Sequence, residues 1–231
     1  FYSTENEMYD DYLLGNLDLS PVPVEYIGDV LNGPHAVLAR QLGTYYYGMK
    51  VDRAPFDDVR VRQALNHAVD KRYIVDGIVA GQEMASGPVP PGMQGYDPPV
   101  ASYPYSPTLA LGLLAEAGWA DTNEDGILDD AEGTDLTIEM WTVTGSGHEA
   151  IANAMAGDFR DIGGIGLGAT VVISHTEWDT YMNNLDQYSM YRLGWLMDYP
   201  DPYNFLQPHF STEGGSNHTN YTNTQVDAWL D

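Results

Sequence analysis

The sequence predicts an α/β fold, a mixed sheet flanked by helices, from two kinds of periodicity. Apolar residues recur at i, i+3, i+4 and i+7 in several segments, which is typical of amphipathic helices. Between these segments lie short runs rich in β-branched and aromatic residues, which are typical of strands. Because the two patterns alternate along the 231 residues, the expected architecture is one sheet with helices packed on it.

The first half of the chain contains one predicted strand and three predicted helices. The strand covers residues 43–50, where three tyrosines follow one another. A helix then starts at Asp57 or Asp58, and Asp70 is expected to cap the next one. Pro107 marks the first position of the third helix. The buried stripe predicted for the first of these helices consists of Val61, Ala64, Leu65 and Ala68.

The second half alternates more regularly. Strands are predicted at residues 136–143, 169–174 and 188–195. Ser146 and Glu149 form the pattern of a capping box at the start of a helix. A short helix is expected to open at Thr176, and residues 226–231 begin another.

Composition excludes several classes of function. The chain has 9 Lys and Arg against 34 Asp and Glu, a formal charge of −25, which repels nucleic acids and anionic lipids. Cysteine is absent, so neither a disulfide nor a thiolate site can form. No run of 18 apolar residues occurs, and therefore no membrane span is predicted.

Residues 121–132 match the pattern of a twelve-residue EF-hand calcium loop. The predicted ligands are Asp121, Asn123, Asp125, the carbonyl of Ile127, Asp129 and Glu132. Hard oxygen ligands in this number favour Ca²⁺, which would fix the loop between a helix and a strand rather than catalyse a reaction. A second helix after the loop is not convincing, so an acidic turn without metal is the alternative.

A predicted strand and the turn after it carry Arg192, Trp195 and Asp198. These residue types suit recognition of a zwitterion, because Asp198 can hold an ammonium group and Arg192 a carboxylate, while Trp195 supplies a flat wall. The same residues also fit a plain alternative, in which Asp198 caps the turn and Arg192 forms a local ion pair.

Patterns of known catalytic sites fit poorly. Ser146 lacks the spacing of a nucleophile elbow, and the glycines at residues 164–168 follow a helix rather than a strand, unlike a dinucleotide-binding loop. His148 and Glu149 lack the second histidine of a zinc helix. Asp198 and Asp201 lie too close in sequence to straddle a sugar. The sequence therefore predicts a protein that is not an enzyme.

Two segments resemble one known family. Residues 54–70 read Ala-Pro-Phe-Asp-Asp-Val-Arg-Val-Arg-Gln-Ala-Leu-Asn-His-Ala-Val-Asp. This run resembles the signature of the extracellular solute-binding proteins that supply peptides, dipeptides or nickel to ABC importers. Residues 192–199 are similar to the cleft motif Arg-x-Gly-Trp-x-x-Asp-Tyr of the peptide-binding members. In those relatives the aspartate pairs with the α-amino group of the peptide, and the arginine can neutralise a ligand carboxylate. The ligand-binding residues implied here are Arg192, Trp195, Asp198, Trp178 and Tyr46.

The resemblance also implies an architecture and a role. Members of the family are longer and have two lobes that close on the ligand, so residues 1–231 are expected to form a single lobe, a fragment of the second one. The implied protein is a monomer outside the cytoplasm, periplasmic or lipid-anchored at the cell surface, that captures an oligopeptide or dipeptide for an ABC permease. Apart from a structural calcium ion, no cofactor is expected. Alternatives are a receptor of the same family for nickel, haem or sugar, and a calcium-stabilised extracellular binding module without a role in transport.

Overall fold

The computed structural model describes residues 2–37, 41–79, 81–97 and 103–231. Its centre is a four-stranded sheet of β1 (Gly43–Met49), β2 (Thr137–Val143), β3 (Thr170–Thr176) and β4 (Met190–Leu196). The strands lie in the order β1-β4-β2-β3. β1 runs antiparallel to β4, while β2 is parallel to both β3 and β4. The prediction of a mixed sheet flanked by helices is therefore confirmed.

Helices precede, connect and follow the strands. They are α1 (Glu5–Leu13), α2 (Val24–Val30), α3 (Val59–Ala68), α4 (Lys71–Gly77), α5 (Pro107–Glu116), α6 (Ser146–Arg160), α7 (Trp178–Asn183), α8 (Tyr203–Phe210) and α9 (Thr224–Leu230), with a 3-10 turn at Leu185–Gln187. Both predicted aspartate caps are present. Asp58 accepts a hydrogen bond from the N–H of Arg60 at 2.7 Å, and Asp70 accepts one from the N–H of Tyr73 at 3.0 Å.

Two helix starts differ from the prediction. α6 has Gly145 as its N-cap, so the Glu149 carboxylate accepts a hydrogen bond from the N–H of Gly145 at 3.2 Å and Ser146 is already helical. Thr176 does not open α7, because it still pairs with Val143 as the last residue of β3. α6 thus begins one residue earlier than predicted, whereas β3 continues to Thr176 because the backbone of this residue still has a partner in β2.

The two faces of the sheet pack against different elements. On one side, the α6 face, strand residues such as Ile138 and Met140 join α3, α5 and α6 in the larger core, which also contains Phe159. The opposite side, the α7 face, has a smaller core. Its buried members are Val143, Tyr181, Leu185, Tyr188, Tyr191 and Leu193. In the described ranges no helix is both long enough and apolar enough to cross a bilayer.

Candidate ligand-binding site

Asn204 connects Trp195 and Asp198 at the end of β4. Its Oδ1 accepts hydrogen bonds from the indole Nε1–H of Trp195 at 3.2 Å and from the backbone N–H of Asp198 at 2.9 Å. Its Nδ2 donates to Oδ2 of Asp198 at 3.1 Å. Asn204 is only 3% exposed, whereas Asp198 is exposed. The turn therefore presents one oriented carboxylate to solvent beside a tryptophan.

The local sequence explains how the chain turns back onto β4. Pro202 occupies the N-cap position of α8, and the Asp201 carboxylate accepts a hydrogen bond from the N–H of Tyr203 at 2.8 Å. The N–H of Asn204 in turn donates to the carbonyl of Asp201 at 3.0 Å. Asn204 thus lies in the first turn of α8, against the strand that the chain has just left. The sequence pattern does not single out Asn204 as a site residue, since an asparagine early in a helix is commonly bonded to nearby backbone groups.

An aromatic group lies beside this turn on the α7 face. The rings of Trp195 and His209 meet edge to face with centroids 4.6 Å apart, and Tyr46 meets His209 in the same way at 5.9 Å. Burial raises the pKa of Tyr46 to about 12 and lowers the pKa of His209, so both side chains are neutral at pH 7. Two of the predicted ligand residues, Tyr46 and Trp195, therefore share one uncharged wall.

Arg192 lies on the other side of the sheet. Side chains alternate along a strand, so residues 192 and 195 point to opposite faces. On the α6 face, the guanidinium carbon of Arg192 is 4.6 Å from the centroid of the Tyr45 ring, and Tyr45 stacks on His148 with centroids 5.8 Å apart. Burial and the charge of Arg192 both lower the pKa of His148. The structure thus brings Trp195 and Asp198 together but not Arg192 and Trp195.

The surroundings of Arg192 are rich in unpaired donors. Within the described ranges no carboxylate forms an ion pair with Arg192. Its Nε is buried without a hydrogen-bond partner, as are the Tyr47 hydroxyl and the Thr142 hydroxyl. Tyr47 is the direct cross-strand partner of Arg192. A positive charge with idle donors around it is a favourable environment for an anionic group.

Tyr181 separates β4 from β2. The parallel ladder between these strands ends at the pair Trp141 and Tyr191. The buried Tyr181 hydroxyl occupies the position beyond it, where it accepts a hydrogen bond from the N–H of Arg192 at 2.7 Å and lies 2.8 Å from the carbonyl of Arg192 and 3.1 Å from that of Trp141. After Arg192, no strand in the described ranges pairs with the side of β4 that faces β2. β4 thus has an open edge.

Trp178 is the first residue of α7 and is 49% exposed. Its ring lies 6.3 Å from that of Tyr181 at an interplanar angle of 21°. Trp178, the fifth predicted ligand residue, therefore lies next to Tyr181, whose hydroxyl separates β4 from β2 at the open edge of β4. Its contact with a ligand remains a prediction.

The acidic loop at residues 121–132 is held by its own hydrogen bonds. The Asp121 carboxylate accepts from the N–H groups of Asp125 and Gly126 at 3.1 and 3.0 Å, and the Asp125 carboxylate accepts from the N–H of Ile127 at 2.8 Å. Asn123 accepts from the N–H of Asp125. The buried Asp129 bonds to the backbone and hydroxyl of Thr122, whereas Glu132 is exposed. Within the described residues no three His, Cys, Asp or Glu side chains converge as metal ligands.

Calcium binding by this loop stays a prediction, and a melting experiment tests it. If Ca²⁺ binds through Asp121, Asp125 and Glu132, the melting temperature in 1 mM Ca²⁺ is expected to exceed that in EDTA by roughly 3 °C or more, because a ligand that binds only the folded state stabilises it. Glu132→Gln should abolish the difference. Identical melting in Ca²⁺ and in EDTA would contradict the prediction.

Comparisons with known proteins agree with the motifs at residues 54–70 and 192–199. Residues 2–217 match the family described as "Bacterial extracellular solute-binding proteins, family 5 Middle". Heme-binding protein A of Haemophilus influenzae is 32% identical over 94% of this chain, and the oligopeptide-binding protein OppA of Bacillus subtilis is 30% identical over 79%. The structure of the B. subtilis oligopeptide-binding protein AppA in complex with a nonapeptide superposes with a TM-score of 0.79, covering 98% of this chain at 26% identity.

The chain corresponds to only part of these proteins. The matches span 39% of Heme-binding protein A, 33% of OppA and 46% of the AppA chain. The structural neighbours have two lobes, of which this chain covers one. The family consists of solute-binding proteins rather than enzymes. The chain belongs to the family 5 bacterial extracellular solute-binding proteins.

Proposed function

We propose that the protein containing this chain captures peptides outside the cytoplasm and delivers them to an ABC permease. The observation that carries the proposal is the exposed Asp198 carboxylate, held in one orientation by Asn204 beside Trp195. A carboxylate fixed in this way suits the α-ammonium group of a peptide. The likeness to an oligopeptide-binding relative and to a nonapeptide complex supports a peptide as the ligand.

The open edge of β4 supports recognition of a peptide main chain. In the antiparallel ladder with β1, alternate residues direct their N–H and C=O groups away from β1. Arg192 does so, since its N–H donates to Tyr181. Gly194 and Leu196 lie two and four residues after Arg192, so their backbone N–H and C=O groups also point away from β1 and are available at the open edge. An extended peptide can add there as a strand, so that its main chain supplies affinity whatever its side chains are.

The positive group around Arg192 complements the opposite charge of a peptide. Arg192 is half-buried and forms no ion pair within the described ranges, so its positive charge suits a carboxylate, either at the C-terminus of the ligand or on an acidic side chain. Because His148 has a lowered pKa, it is neutral at pH 7, and the N–H of its ring can donate a hydrogen bond to the same carboxylate.

Haem is a second candidate ligand, favoured by the 32% identity to Heme-binding protein A over 94% of this chain. Haem carries two carboxylates but no ammonium group. It would therefore use Arg192 and leave Asp198 without a partner. The oriented carboxylate favours the peptide over haem.

Native mass spectrometry of the complete gene product, purified without denaturation, tests the function. We expect masses that correspond to bound peptides. After these are removed, calorimetry should show binding of an alanine peptide of two to five residues. Failure of all these peptides to bind, together with stoichiometric binding of hemin seen as a shifted Soret band, would replace the peptide with haem.

The remaining features of the role follow from the same family. A monomer at the outer face of the cytoplasmic membrane, free or anchored by a lipid, would present the closed, peptide-loaded state to the permease. The charge of −25 on this chain repels nucleic acids, which supports a role without a nucleic-acid partner.

A further inference from the structure

The side chain of Asn204 forms three hydrogen bonds at the turn after β4. Its carbonyl oxygen accepts two hydrogen bonds and its amide group donates one, all to Trp195 and Asp198. It touches both the aromatic wall and the carboxylate, yet it is buried and offers nothing to a ligand itself. Such a residue acts through the groups that it holds.

The Asp198 carboxylate needs an external constraint to keep one orientation. It is exposed and follows the last residue of β4 by two positions, so neither packing nor the strand ladder fixes its side chain. The bond from Asn204 to Oδ2 leaves Oδ1 without a partner among the described residues. A carboxylate oriented before the ligand arrives loses less rotamer freedom on binding than a free one.

Asn204 is uncharged, and this matters for the Asp198 carboxylate as much as the geometry of their hydrogen bond does. A lysine or arginine at this position would also orient the carboxylate, but it would satisfy the charge that a ligand ammonium needs. In the described ranges Asp198 has no cationic partner. The other ionisable groups nearby do not supply one, because Asp201 is itself an acid and the lowered pKa of His209 keeps that imidazole neutral.

We infer that Asn204 is the positioning residue that makes this site select ligands with a free amino terminus, by holding the Asp198 carboxylate in place without neutralising it. The inference rests on the proposed function and adds a determinant of ligand choice to it. Asn204 does not contact the ligand. Its contribution is the difference in affinity between a peptide with a free amine and the same peptide after acetylation.

The test compares these two ligands in the complete gene product. The probe is the alanine peptide of two to five residues that the unmodified protein binds most tightly, together with its N-acetylated form. Asn204→Leu replaces the amide by an apolar group of similar volume. The matched control is Asn217→Leu, since Asn217 is another asparagine whose side chain is hydrogen-bonded within this chain, to Ser211, Thr219 and Tyr221 and not to Asp198.

Asn204→Leu is expected to lower the preference for the free amine about tenfold, while affinity for the acetylated peptide changes by less than about threefold. Asn217→Leu should leave the preference unchanged even if it lowers the melting temperature more. Equal losses for both peptides in Asn204→Leu would overturn the inference, because they would show a structural role alone. Should this variant not fold, Asn204→Ser keeps an acceptor at a smaller size, and the same ratio decides.

Failure of the inference and failure of the proposed function give different results. If Asp198→Asn removes the preference and Asn204→Leu does not, Asn204 has no positioning role but the peptide site stands. If the unmodified protein binds alanine peptides without preferring the free amine, the inference fails and peptide capture stands. If it binds no alanine peptide, the proposed function itself is contradicted, and the inference with it.

Discussion

Asp198→Asn is expected to weaken binding of a peptide with a free amino terminus about 100-fold, and to leave its N-acetylated form almost unaffected. The substitution keeps the shape of the side chain and removes its charge. Truncating or neutralising one partner of a desolvated charge pair typically costs about 2–5 kcal/mol, and 100-fold corresponds to roughly 2.7 kcal/mol. An acetylated peptide has no ammonium group and so loses no ion pair.

Calorimetry of both peptides with the complete gene product measures the effect. Asp201→Asn is the matched control, since Asp201 is an exposed carboxylate three positions along the same turn that bonds to a backbone N–H. We expect the control to change either affinity by less than about threefold. Equal losses for the free and acetylated peptides in Asp198→Asn would remove Asp198 from amine recognition.

Gly168→Ala is expected to lower the free energy of unfolding by about 3 kcal/mol or more, because no space exists for a methyl group. A Cβ at this position would overlap the backbone carbonyl groups of Phe159 and Arg160 at the end of α6. Gly168 also pairs with the acidic loop, donating to the carbonyl of Gly126 at 3.1 Å and accepting from the N–H of Leu128 at 2.8 Å. The added methyl group would meet the backbone of α6, and Gly168 cannot move away because it is hydrogen-bonded to the acidic loop. Backbone atoms do not move aside as the end of a flexible side chain would.

Thermal melting of the chain checks this prediction. A loss of 3 kcal/mol corresponds to a decrease of roughly 6–12 °C in the melting temperature for a domain of this size. Gly157→Ala in α6 is the control, since nothing lies within 4 Å of its added Cβ, and there alanine should stabilise the helix by about 0.5–1 kcal/mol. A Gly168→Ala variant that melts within 2 °C of the unmodified chain would contradict the close approach.

The sequence predicts the sheet and the core helices because periodic burial determines them. The expected stripe of Val61, Ala64, Leu65 and Ala68 is fully buried in α3. α1, α2 and α8 were not predicted, since they are short and α8 even contains Pro208 in its interior. Such helices depend on tertiary contacts more than on a pattern in the sequence.

The candidate site was only partly predictable for a different reason. Its residue types were recognisable, and strand parity alone separates Arg192 from Trp195. Asn204 was not predictable, because its role depends on how sharply the chain turns at residues 199–202. Tyr181 was missed in the same way, since its hydroxyl takes the place of a strand partner only after α7 has packed on the sheet.

Arg192 and Asp198 place a positive and a negative charge at different positions along the last part of β4 and the turn after it. The Arg192 guanidinium lies over the Tyr45 ring on the α6 face, and the carboxylate lies beyond the strand beside Asn204. An extended zwitterion with its ammonium group towards Asp198 would meet complementary charges at both ends, whereas the reversed molecule would meet like charges at both. A single lobe could therefore decide the order, amino to carboxyl, in which a captured chain is laid down.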